Sequence, residues 1–145
     1  MRRWIFWLAL SGLSWGQTLE LGGQVEKPHT YSLSELKQWG EAVKTDRHTY
    51  TGVPLRELLK QAGVPDQHDL KGKWMAAYLV AQGKDGYRAV FSLAELDPLF
   101  GDNGVWVAFQ EDDQELPALR LVVPREKRNA RWVRDLQSLK LEVVR

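Results

Sequence analysis

Between Arg120 and Leu136 the sequence reads RLVVPREKRNARWVRDL and brings together Arg120, Arg125, Lys127, Arg128, Arg131 and Arg134. Guanidinium groups donate paired hydrogen bonds in a fixed plane, so this density of cations suits a phosphate or another oxyanion. The same pattern suits a nucleic-acid backbone, or a solvated face whose charges pair with Glu126 and Asp135 while Trp132 and Val133 pack inward. A second stretch, Asp85-Gly86-Tyr87-Arg88, is a tight turn that leaves an aromatic ring and a guanidinium at the start of a strand. It reads either as hairpin chemistry with a packed tyrosine or as a ligand-facing rim, with Tyr87 and Arg88 as binding candidates.

Other chemistry has little local support. His29, His48 and His68 are about twenty residues apart, none with a carboxylate or second histidine at ligand spacing on one helix, which points to surface histidines beside turns. Ser32 and Ser92 are placed as helix caps, and no G-x-S-x-G is present. P-loop and G-x-G-x-x-G patterns are absent, and the carboxylates are scattered, so no acid–base pair can be named. The 145 residues contain no cysteine, which removes disulfides, thiolate ligands and a thiol nucleophile from this sequence.

The elements that must position these residues begin after a leader. Arg2 and Arg3, the apolar run Trp4–Leu13 and the small residues Ser14 and Gly16 follow the order of a secretory signal peptide, with cleavage expected between Gly16 and Gln17. Ordinary export fits better than the twin-arginine route, because the arginine pair directly follows Met1 with no Ser or Thr before it. The expected location is therefore periplasmic or secreted, with residues 1–16 a signal peptide, residues 17–145 one domain and no membrane association after cleavage. Without Arg2 and Arg3 the 20 basic residues fall to 18 against 19 acidic ones, a net charge of −1. Near-neutrality argues against nucleic acid, which leaves an anionic small molecule or a protein as the expected partner.

Strands dominate the mature segment. Leu19–Val25 reads as a strand with a bulge at Gly22-Gly23, and Val43–Tyr50 as a second. Ser32 and Glu35 form a capping box opening a short helix, and Ser92 and Glu95 form another. Pro54 starts the clearest helix, with Leu55, Leu58, Leu59 and Ala62 on one stripe and Gly63 as its stop. Trp74–Gln82 and Tyr87–Phe91 predict a hairpin across Lys84-Asp85-Gly86. Val105–Phe109, Leu119–Val123 and Leu139–Val144 predict further strands, with residues 111–113 a turn. The fold class is α+β, a single domain with a mixed or antiparallel sheet and short helices.

Four of these pieces occur together in one family. LELGGQVEKPHTYSLSEL, TYTGVPLRELLKQAGV, VAQGKDGYRAVFSLAEL and LRLVVPREKRNARWVRDLQSLKLE, in that order, resemble the molybdopterin-binding domain of the sulfite-oxidase type. The resemblance implies that domain's compact fold, a molybdopterin cofactor, and contacts from late basic residues to the pterin phosphate, which makes Arg120, Arg125, Arg128 and Arg131 cofactor-binding candidates beside Tyr87 and Arg88. It also implies a molybdenum-ligating cysteine just before the Tyr-x-Gly block, where this chain has EAVKTDRHTYTG and no cysteine. The glycine-proline pair expected before Arg120 is replaced by ELPALRL. Three functions follow as expectations: an exported binding or interaction module without molybdenum catalysis, a molybdopterin-dependent oxidoreductase with oxygen ligation by Asp46 or Thr45 or a completing partner, and a pterin or phosphate-ligand binder.

Overall fold

The computed structural model describes residues 18–144 and forms two sheets around a shared core. The expected signal peptide, residues 1–16, lies outside the described residues. In chain order the elements are β1 (Thr18–Gly23), β2 (His29–Ser32), α1 (Leu33–Lys37), β3 (Glu41–Lys44), β4 (Thr49–Pro54), α2 (Leu55–Gln61), β5 (Ala77–Gly83), β6 (Arg88–Ser92), β7 (Trp106–Glu111), β8 (Gln114–Val122) and β9 (Leu136–Val143). Short 3₁₀ turns cover Gln67–Asp69, Gly72–Ala76, Ala94–Leu96 and Asn129–Arg131. The five-stranded sheet has the order β2-β1-β9-β5-β6 and is mixed, because β9 runs parallel to β1 and antiparallel to β5. The second sheet, β3-β4-β7-β8, is antiparallel throughout.

Period-two alternation explains how the second sheet serves two environments. Val107 and Phe109 of β7 point into the main core, whereas Trp106 and Ala108 belong to a smaller apolar cluster with Tyr50, Leu116 and Val122. The main core takes Leu79 and Ala81 from β5 and Leu139 and Leu141 from β9, which pair across the strands. Leu55, Leu58, Leu59 and Ala62 are all buried, as their spacing predicts, and Gly63 follows at φ +84°. Both capping boxes form: Ser32 exchanges backbone and side-chain hydrogen bonds with Glu35, and Ser92 does so with Glu95, although the second opens only a single 3₁₀ turn.

Local departures from the sequence pattern have identifiable causes. The strand expected over Val43–Tyr50 is a hairpin: Thr45 N–H and Oγ1–H both donate to the His48 carbonyl, at 2.8 and 3.0 Å, and close a turn between β3 and β4. The run from Trp74 begins as a 3₁₀ turn, and strand pairing starts only at Ala77. Gly22 and Gly23 do not form a bulge, since β1 stays in register with β9; a Cβ on Gly23 would lie 2.3 Å from the Leu141 carbonyl oxygen. Pro117 is accommodated because β8 is an edge strand.

The loop from Val123 to Asp135 crosses from edge strand β8 to central strand β9. It is pinned to the five-stranded sheet by Arg131, whose Nη1 donates to the Val90 carbonyl at 2.7 Å and whose guanidinium lies 4.2 Å from the Phe91 ring centroid. Arg131 also forms a bidentate pair with Glu95, at 3.1 and 3.0 Å, and bonds Glu126 through Nε and Nη2. Tyr87 OH donates to the Ala130 carbonyl and adds a second tether.

Two stability predictions follow from these contacts. A Cβ at Gly52 would meet the Val107 carbonyl oxygen at 2.2 Å, beside the β4–β7 register shift, whereas one at Gly22 would meet nothing within 4 Å. Gly52→Ala is expected to lose about 1–3 kcal/mol in urea unfolding and Gly22→Ala less than about 0.5 kcal/mol. Burial raises the Glu95 carboxyl pKa, but hydrogen bonds from Arg131, Asn103 and the Ser92 N–H outweigh it and leave the group below its ordinary value. Its contribution is therefore complete above the ordinary glutamate range and is lost as pH falls through the lower folded value. The stability gap between wild type and Glu95→Gln is expected to hold from pH 7 to about pH 5 and to close below about pH 4, read from urea midpoints across that range.

Candidate functional site

A cleft of about 710 Å³ opens where the β3–β4 turn faces the crossing loop. One side carries Asp46, Arg47 and His48; the floor carries Tyr50 from β4, Glu111 from β7 and Arg120 from β8; the far side carries Lys127, Arg128, Trp132 and Arg134. Cross-strand register creates the floor, because β7 lies between β4 and β8 and Tyr50 pairs directly with Glu111. The Arg120–Arg134 bridge draws the end of the crossing loop back onto β8.

The floor is a hydrogen-bonded network. Tyr50 OH donates to Glu111 Oε2 at 2.7 Å, and Arg120 Nη1 donates to the same oxygen at 3.3 Å. Burial, then the bond to Glu111, raises the Tyr50 pKa, so the phenol stays a donor. The Tyr50 ring packs edge-on against Trp132, with centroids 5.9 Å apart, and against His48 at the same separation. His48 Nδ1 meets Asp112 Oδ2 at 2.8 Å, and its Nε2 lies 4.0 Å from Glu111 Oε2. The Thr49 N–H, then His48, holds the Asp112 carboxyl below its usual range, so Asp112 accepts from the Nδ1 side and orients the ring.

Two features define what the cleft can receive. Arg120 Nε and Trp132 Nε1 are buried and have no acceptor among the described residues. An N–H left this way costs about 1–3 kcal/mol, and both belong to residues that line the cleft. Arg47, Lys127, Arg128 and Arg134 all line the cleft, and none makes an ion pair with a described residue. Like charges gathered against low-dielectric walls raise the local concentration of anions.

The sequence-derived candidates divide accordingly. Arg120 and Arg128 line the cleft, together with Lys127 and Arg134 of the same basic stretch. Arg125 lies outside it and pairs with Asp102 at 3.7 Å. Tyr87 and Arg88 are exposed at the β5–β6 hairpin, away from the cleft, and Tyr87 serves as a loop tether. Arg131 is committed to Glu95, Glu126 and the Val90 carbonyl; those contacts raise its pKa further, Glu126 first and then Glu95. Sequence reasoning missed Tyr50, Glu111 and His48 as a group. Tyr50 stands directly before the Thr-Gly of a recognisable block, but its partnership with Glu111 depends on strand register, which no local pattern carries.

The residues fit the anionic part of a molybdopterin cofactor, since cations and unpartnered N–H donors supply what a phosphate accepts. They do not fit cysteine-ligated molybdenum: the sequence has no cysteine, and among the described residues no three His, Asp or Glu side chains gather to hold a metal. Asp46 and Thr45, the oxygen donors the sequence offered, both line the cleft mouth.

Comparison with known proteins bears on the fold. Among solved structures, the sulfane dehydrogenase SoxCD from Paracoccus pantotrophus superposes with a TM-score of 0.62 at 22% identity, over 88% of this chain and 39% of that one. The likeness establishes a shared fold, and this chain spans well under half the length of that protein. No curated protein matches the sequence. The family model for the oxidoreductase molybdopterin binding domain matches residues 38–143, from the end of α1 through β9, and the chain belongs to that family.

Proposed function

We propose that this chain is an exported binding module that takes a phosphate-bearing or similar anionic ligand in the cleft, without cysteine-ligated molybdenum catalysis. One observation carries the reading: four cations with no ion pair among the described residues line the same cleft as Arg120 and Trp132, each of which has a buried N–H with no acceptor among those residues. Charge sign, donor geometry and cleft size all suit a small oxyanion ester. Arg128, Lys127 and Arg134 would supply attraction, Arg120 Nε and Trp132 Nε1 would fix orientation, and Glu111 would accept from any N–H the ligand carries. The near-neutral whole chain makes this a local site. The order Arg2-Arg3, Trp4–Leu13 and Ser14–Gly16 supports export.

The second reading is redox catalysis with oxygen ligation or with a completing partner. It is favoured by the family itself and by Asp46 and Thr45 at the cleft mouth. Molybdenum held by a pterin would supply two-electron redox chemistry, and this chain's own part would be to hold and orient the anionic group.

Calorimetric titration with inorganic pyrophosphate tests the binding reading. Wild type is expected to bind, and Arg128→Ala and Arg134→Ala are expected each to weaken binding about three- to tenfold. The difference should shrink as salt rises from about 0.01 to 1 M, where the Debye length falls from about 30 to 3 Å. Absence of binding by folded wild type, or equal binding by all three proteins, would overturn the anion site.

A further inference from the structure

Arg131 sits in the basic stretch yet has nothing left to offer a ligand. A guanidinium carries five N–H donors. Here Nε donates to Glu126, Nη1 to the Val90 carbonyl and Glu95 Oε1, and Nη2 to Glu95 Oε2 and Glu126 Oε2. Its π face is covered by Phe91 at 4.2 Å. Asn103 Nδ2 completes the cluster, donating to Glu95 at 3.1 Å and reaching Glu126 at 3.5 Å.

The placement of the two carboxylates gives the arrangement a purpose. Glu126 directly precedes Lys127 and Arg128, and Arg131 follows them, so the Glu126–Arg131 pair is a clasp across the segment that carries two cleft cations. Glu95 and the Val90 carbonyl belong to the other sheet's edge and its following turn, so the same guanidinium anchors the clasped loop to the body of the fold. Tyr87 fixes the remaining side through the Ala130 carbonyl. Inside the loop, Glu126 N–H donates to Val123 O and Trp132 N–H to Asn129 O, both at 3.0 Å. Neither cation makes an ion pair with a described residue, so the backbone of the loop sets the region that their charges sample.

We propose that Arg131 is a positioning residue for the cleft: its guanidinium, shared between Glu95 and Glu126, fixes the loop that presents Lys127 and Arg128 and so lowers the ordering cost of ligand binding. This rests on the binding reading above for its functional meaning, but the loop's order has a readout of its own. Lysine cannot replace it fully, because three donors on a point charge cannot serve two carboxylates and a carbonyl in one plane.

The test combines hydrogen exchange of ligand-free protein with pyrophosphate titration for wild type, Arg131→Gln, Arg131→Lys and Tyr87→Phe. In Arg131→Gln the amides of residues 125–132 are expected to exchange at least tenfold faster while those of β5 and β9 keep their protection. Pyrophosphate affinity is expected to fall about fivefold, with Arg131→Lys between the two. Should Arg131→Gln fail to fold, Glu95→Gln carries the same measurement, since it releases the anchor and leaves the Glu126 clasp. Unchanged loop exchange and unchanged affinity in a folded variant would overturn the proposal, as would a uniform loss of protection over the whole chain. Faster loop exchange in a protein whose wild type ignores pyrophosphate would uphold the positioning role and refute the anion site.

Discussion

The insertion of β9 between β1 and β5 governs the rest of the structure. Its leucines Leu139 and Leu141 complete the main core, and its pairing with β1 joins the two ends of the described chain in one sheet. Because β8 is an edge strand of the other sheet, the segment between β8 and β9 has to cross from one sheet to the other. The cleft lies along that crossing. Lys127, Arg128 and Arg134 are therefore presented by a stretch of chain that the topology obliges to exist, not by an appended loop.

A crossing segment with little core of its own must be held by polar contacts. The Glu95–Arg131–Glu126 cluster and the tyrosine tether do this on the side facing the five-stranded sheet, and the Arg120–Arg134 bridge does it on the other. On the cleft side the balance is reversed: among the described residues its four cations make no ion pair and two buried donors have no acceptor. The same basic stretch thus contains a satisfied half that stabilises and an unsatisfied half that costs stability, and the proposed binding would reside in the second. The family's fold is formed here by a sequence without cysteine.

Legibility in the sequence followed the range of the interaction. Capping boxes, the Leu55–Ala62 stripe and the Asp85-Gly86 turn are short-range devices, and each forms where the residues predict it. The turn at Thr45–His48 was hidden because Thr45 closes it with a side chain common in strands. The division into two sheets, and with it the Tyr50–Glu111–Arg120 floor, depends on pairings of residues about sixty positions apart or on bulged register. Arg128 and Arg131 look alike in sequence, and only the positions of Glu95 and Val90 make one a free charge and the other a clasp.

The most direct measurement is the molybdenum and pterin content of the protein purified from the cell that makes it. The account predicts folded protein without stoichiometric molybdenum, in which an anion or phosphate-bearing molecule is retained at low salt and released at high salt. Molybdenum at one atom per chain, lost when Asp46 or Thr45 is replaced, would contradict it and establish oxygen ligation in place of the absent thiolate.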